Sequence, residues 1–163
     1  MKFKAIFLFI LLTSSFVFSE ENYIVVIIDD SAYTNRQIKD FALRKNLKTD
    51  KPKIIKDFID YQIKLIEAEK LKLKPSRPLI ENNLKIIATK NNITLKELTN
   101  FVDFEKVYRD VENDLSVLLL KNHVSKNRSN YENNLIESNS SEDFFSRWIN
   151  SAKEKYFIKS LNY

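Results

Sequence analysis

Few side chains in this 163-residue sequence are equipped for acid, base or nucleophilic chemistry: it has one histidine, no cysteine and no glycine. His123 lies in an apolar helical stretch with no second group placed to share acid/base work, so it reads as a satisfied or surface histidine. Asp29 and Asp30 are adjacent carboxylates, a type that holds metals or moves protons. They end a β-branched run in which neighbouring side chains point to opposite faces, and with Ser31 they read as a turn. Zinc held by cysteine and multi-histidine metal centres are excluded by composition, and no metal or other cofactor is expected. A chain without glycine also lacks the phosphate-cradling loop, the dinucleotide fingerprint and the nucleophile elbow, each of which needs glycine where the backbone turns sharply or approaches a ligand. A binding protein, not an enzyme, is the expectation.

The N-terminus bears on where such binding takes place. Lys2 and Lys4 precede apolar residues 5–12 and 16–18, and Val17 and Ser19 are small enough for the −3 and −1 positions of a cleavage site, so residues 1–19 read as a cleavable export signal. The competing reading is a retained membrane anchor, because the apolar run extends through residue 18. Removing residues 1–19 leaves 144 residues, 20–163, enough for one domain with a real core, and lowers the formal charge from +5 to +3. The basic excess is mild, in a composition rich in lysine, isoleucine and asparagine, and no nucleic-acid partner is expected. Without cysteine, packing alone must stabilise the fold.

Residues 23–28 (YIVVII) predict a strand entering the turn at Asp29. Residues 34–37 (TNRQ) form a capping box, with Tyr33 and Ile38 placed as a hydrophobic staple, and predict a first helix from Asn35 to about Asn46. A second helix follows Asp50 and Pro52. Ile54, Phe58, Tyr61, Leu65 and Ala68, flanked by Ile55, Ile59 and Ile66, form its broad apolar face, and the stripe Lys53, Asp57, Asp60, Lys64 and Glu67 reads as its solvated side. Pro75 breaks this pattern, and Ser76 opens a third helix to about Lys90, with Leu79, Leu84, Ile86 and Ile87 inside it.

The box TLKE at 94–97 starts a short fourth helix ending near Phe101. A fifth, from Phe104 to Lys126, presents Val107, Val111, Leu115, Leu118 and Leu119, widened by Val117 and Leu120, and is expected to be buried on most sides. Residues 127–140 read as a polar connector, after which a last helix carries Phe145, Trp148, Ile149 and Ala152. The closing run 156–161 (YFIKSL) is strand-like and needs a partner edge, which only residues 23–28 offer. The expected fold is mostly α, with several helices and a small sheet made by the N- and C-terminal strands.

This order of elements resembles the core of the SurA family of periplasmic chaperones. The resemblance rests on the strand, turn and capped helix of residues 24–41, KLKPS at 72–76, NNITLKEL at 91–98, YRDVENDLSVLLLKNHV at 108–124 and the final RWINSAKEKYFIKSL. It covers nearly all of residues 20–163, although no single motif is as specific as a metal-ligand set. The family carries parvulin-type prolyl isomerase domains between its long helix and its C-terminal helix, where this chain has only residues 127–140. It also has a glycine in the first turn, where this chain has Asp30 and Ser31.

The resemblance therefore implies the chaperone core without the isomerase: an ATP-independent holdase of the periplasm that binds unfolded polypeptides, chiefly outer-membrane proteins. The aromatics named as its client-binding surface are Tyr61, Phe101, Phe104 and Tyr108. The alternative is an adaptor or structural protein held at the inner membrane by an uncleaved residue 1–19 segment and binding one dedicated envelope partner.

Overall fold

The structure is a computed structural model and describes residues 21–101, 103–128 and 141–161. The signal expected at 1–19 lies outside the described residues, as does the connector expected at 127–140, apart from Asn127 and Arg128. The fold is mostly helical with one three-stranded antiparallel sheet. Its elements are β1 (Ile24–Ile28), β2 (Ser31–Thr34), α1 (Asn35–Arg44), α2 (Lys51–Lys70), α3 (Arg77–Lys90), α4 (Leu95–Thr99), α5 (Phe104–Lys126), α6 (Ser141–Lys153) and β3 (Ile158–Ser160).

The sheet order is β2-β1-β3, so the first and last strands of the described chain are neighbours, as the sequence predicts. Val26 pairs with Ser160, Ile27 with Lys159 and Ile28 with Ile158. Asp29 serves both partners of β1. Its backbone takes φ 47° to close the two-residue hairpin loop, while its N–H donates to the Phe157 carbonyl at 2.8 Å and its Oδ1 accepts from the Phe157 N–H at 2.8 Å. Aspartate tolerates this left-handed conformation better than most side chains, which suits a turn without glycine. The sequence reading ends the strand at the turn and misses β2: Ser31 begins a second strand, because backbone pairing to β1, and not the β-propensity of Ser-Ala-Tyr-Thr, holds it extended.

Both predicted capping boxes form. Thr34 Oγ1 accepts from the Gln37 N–H while Gln37 Oε1 accepts from the Thr34 N–H, and Thr94 and Glu97 repeat the arrangement. The N–H of Thr94 is the main influence holding the exposed Glu97 carboxyl below its ordinary value. At the other ends, α1, α2 and α3 close in the same way without glycine. Asn46, Lys72 and Asn92 stand at φ 50°, 56° and 54°. In each case the next residue, Leu47, Leu73 or Ile93, donates back to the carbonyl of Ala42, Ala68 or Ala88 at 2.9 to 3.0 Å. These are Schellman motifs, and the apolar residue after each left-handed position folds back toward the helix.

Three apolar clusters are built around α2 and α5. The first joins the sheet, α1 and α2 around Val26, Phe41, Phe58 and Ile63; the second joins α2, α5 and α6 around Leu120, Val124 and Phe144; the third joins α3, α4 and α5 around Ile80, Leu84 and Leu115. α6 accounts for one departure from the sequence reading. Packed on α2, it covers part of the stripe read as solvated: Glu67 is 8% exposed, and Asp60 and Lys64 are half-buried. Asp60 is met by Lys153 of α6 at 2.8 Å.

Glu67 accepts from the Tyr156 hydroxyl, which in turn accepts from Lys70 Nζ at 2.8 Å. Burial pushes the Tyr156 hydroxyl above its ordinary pKa, and the bond to Glu67 adds to the shift. Two apolar faces are also narrower than expected. Leu79 and Ile86 of α3 are exposed, with Ile80 and Ala88 buried instead, and Leu118 of α5 is half-exposed, whereas Leu120 is buried as expected and Val124 joins it.

Candidate functional site

α1 and α5 lie on either side of α2, and the described side chains joining them are charged. Lys106 of α5 reaches Asp40 of α1 at 2.7 Å, and Arg44 of α1 reaches Asp110 at 3.5 Å and Asp114 at 2.8 Å. Between these bridges runs a groove of about 430 Å³. Tyr33, Phe41, Phe58 and Leu65 form its apolar lining, Gln62 and Asn113 offer uncharged amides, and Leu43 stands on its lip with 71% of its surface exposed. The four charges on its lining, Asp40, Arg44, Lys106 and Asp110, are two of each sign and are engaged with each other.

Tyr61 forms the wall between this groove and a second one of about 500 Å³, which reaches Leu47, Lys64, Asp114 and Val117. Its ring packs against Phe41 at 5.2 Å between centroids, and the Arg44 guanidinium and Lys45 ammonium lie over it at 5.1 and 5.2 Å. Its hydroxyl donates to Asp114 Oδ1 at 2.7 Å, and the same oxygen accepts from Arg44 Nη1 and Lys45 Nζ, each at 2.8 Å. Burial raises the pKa of the Tyr61 hydroxyl, reinforced by its bond to Asp114. At Asp114 burial also pushes upward, but the hydrogen bonds from Lys45, Tyr61 and Arg44 outweigh it and hold the carboxyl below its ordinary value. In the second groove burial lowers the Lys64 ammonium, which lies over the Phe145 ring at 5.8 Å.

The four aromatics proposed from the sequence do not share one surface. Tyr61 is 8% exposed and belongs to the first core cluster. Phe104 and Tyr108 are half-buried against the third cluster, edge to face at 6.3 Å. Phe101 is 58% exposed, at the rim of a shallow hollow of about 330 Å³ with Ile93, Glu97 and Asn100. Leu43 was missed, although its position off the α1 stripe of Ile38, Phe41 and Ala42 marks it as a leucine with no core to enter.

His123 is half-buried in α5, its Nδ1 3.5 Å from the Asn127 amide. Among the described residues no cluster of three histidines, cysteines or carboxylates is arranged to hold a metal ion, and no helix is long and apolar enough to cross a membrane. No family model matches the chain, and no curated protein matches it.

Proposed function

We propose that the chain is an ATP-independent periplasmic chaperone that shields unfolded polypeptides, chiefly outer-membrane proteins, with the groove between α1, α2 and α5 as its client-binding surface. The observation that carries this reading is the groove itself: an apolar lining open to solvent, with its charges already paired across the rim. Such a surface attracts uncharged, apolar stretches of many sequences, and it repels neither sign of charge nearby. Leu43 exposes a large apolar side chain on the lip, where a client gains contact that the folded chain alone does not use. The return of the last strand onto the first agrees with the SurA-like core that the sequence resembles. Phe101 is a second exposed apolar contact, outside the groove lining.

The test is aggregation of a denatured outer-membrane protein, followed by light scattering without nucleotide. The expected result is near-stoichiometric protection that survives 0.3 M salt, with proline isomerisation left at its slow uncatalysed rate, tens of seconds at 25 °C. Leu43→Ser should weaken protection several-fold and leave the unfolding midpoint unchanged, because the side chain is 71% exposed. Equal aggregation with and without the protein would overturn the chaperone reading, and full protection by Leu43→Ser would move the surface elsewhere.

A further inference from the structure

We infer that the corner where α1 meets α2 is a docking surface for acidic phospholipid membranes, separate from the groove and independent of the chaperone reading. The charge of this chain is segregated. Residues 36–56 hold eight lysines and arginines against two aspartates, a net of six, whereas the whole chain carries +5. Every other part of the sequence together is therefore close to neutral or slightly acidic.

The structure places this excess on one corner. Arg44 and Lys45 turn inward to Asp114. Arg36, Lys39, Lys48, Lys51, Lys53 and Lys56 remain exposed, on the outer side of α1, the α1–α2 loop and the first two turns of α2. Of the two aspartates in this stretch, Asp40 is engaged by Lys106 and Asp50 accepts from the Thr49 hydroxyl.

Helix stability explains the lysines only in part: Lys53 and Lys56 stand four residues before Asp57 and Asp60, the weaker orientation of such a pair, and Asp60 is met by Lys153. The first turn of α2 contains no acid, and its N-cap Asp50 makes no side-chain capping bond. Lys51 and Lys53 therefore sit at the positive end of the helix dipole, and Lys53 and Lys56 are like-charged neighbours at i, i+3, both destabilising placements.

Apolar surface accompanies the charge. Lys39 and Lys51 flank a slot of about 270 Å³ whose walls are mainly apolar, with Val25, Ile38, Ile54 and Ile55 among them. Cations around an apolar recess complement a membrane interface, where phosphates meet the ammonium groups and the long lysine stems lie along apolar matter. An acidic polypeptide would satisfy the charges but leave the slot unused, which favours lipid as the occupant.

The experiment is co-sedimentation of the full chain with vesicles of phosphatidylcholine alone or with about one third phosphatidylglycerol. Insertion of the apolar residues 1–19 is common to both vesicles, and Lys2 and Lys4 add their own attraction to the acidic one, so the corner is read by comparing lysine variants of the full chain. Acidic vesicles should bind at least a thousand-fold more tightly, at about five-fold for each of the six exposed cations, and 0.5 M NaCl should abolish the difference. The quadruple variant K48Q/K51Q/K53Q/K56Q should lose it by more than a hundred-fold, at about five-fold per lysine. K85Q/K90Q/K96Q/K126Q, equal in net charge and exposed elsewhere, should keep it.

Because the chain has no cysteine, an environment-sensitive dye placed by Lys53→Cys gives a second measurement that spares the other lysines. Its emission should shift to the blue on acidic vesicles, and that of Lys90→Cys should not. Equal losses from the two quadruple variants, or no shift at Lys53→Cys, would overturn the inference. Tighter binding of polyglutamate than of acidic vesicles, measured by competition, would assign the corner to an acidic polypeptide and overturn it equally.

Discussion

Asp114→Asn isolates the charge that ties α1 and α2 to α5. The wild-type carboxylate accepts from Tyr61, Arg44 and Lys45 at 2.7 to 2.8 Å, so one residue of α5 receives donors from two other helices. Hydrogen bonds to a charged group contribute about 1.5–3 kcal/mol and neutral ones about 0.5–1.5, so loss of the charge removes about 1 kcal/mol per donor before screening. The Asp114 side chain is 41% exposed and Lys45 33%, so the surface-facing part is strongly discounted. The expected destabilisation is about 1–2 kcal/mol for Asp114→Asn, or about 3–6 °C in Tm for a chain of this size. Asp114→Ala should cost about 2–3 kcal/mol, because the buried Tyr61 hydroxyl then has no acceptor at this position.

The pH dependence gives the sharper test of the same idea. The folded carboxyl of Asp114 titrates below its ordinary value. Its contribution is therefore fully present above the unfolded pKa, near 4, and is lost as pH falls through the folded value. Urea unfolding followed by circular dichroism should show a constant gap between wild type and Asp114→Asn from pH 7 to about 5, and a closing gap as pH drops below about 4. In a double-mutant cycle Tyr61→Phe and Asp114→Ala should couple by about 1 kcal/mol. A gap below about 0.3 kcal/mol at pH 7, or one that persists unchanged at low pH, would refute the reasoning.

Lys72→Gly should stabilise the chain by about 0.5–1 kcal/mol, since a side chain at φ 56° costs about 1–2 kcal/mol in this region and glycine gives back about half of that through unfolded-state entropy; thermal unfolding would show it as a rise of about 2–3 °C. Tyr156→Phe should destabilise by about 1–3 kcal/mol, because Glu67, its side chain 10% exposed, is left with Lys70 at 3.7 Å; the double variant with Glu67→Gln should lose less than the two single losses added, in the same urea assay. Truncation after Phe157 should bare the β3 side of β1 and lower stability by at least about 2 kcal/mol in a single cooperative transition, while separate transitions by circular dichroism and tryptophan fluorescence would show that the sheet is not coupled to the helices.

Local signals in the sequence determined most of the elements. The capping boxes at Thr34 and Thr94 placed the starts of α1 and α4, because a cap is a contact between residues three apart and needs no partner from elsewhere. The apolar runs at residues 23–28 and 156–161 predicted the pairing of first and last strands, because each lacked any other edge. What failed were judgements about which face of an element meets another. The charged stripe of α2 read as solvated until α6 was seen to cover Glu67 and Asp60, and β2 exists only because β1 pairs with it. Periodicity fixes where side chains sit around a helix, but the identity of the covering element is set by long-range packing.

The same division holds for the sites. Leu43, Asp114 and the lysines of residues 36–56 are visible as residue types, and the charge excess of that stretch is visible as such, yet the groove and the three-donor carboxylate arise only when α1, α2 and α5 are brought together. Their contacts span 53 to 70 residues of sequence, a separation at which no local pattern constrains geometry.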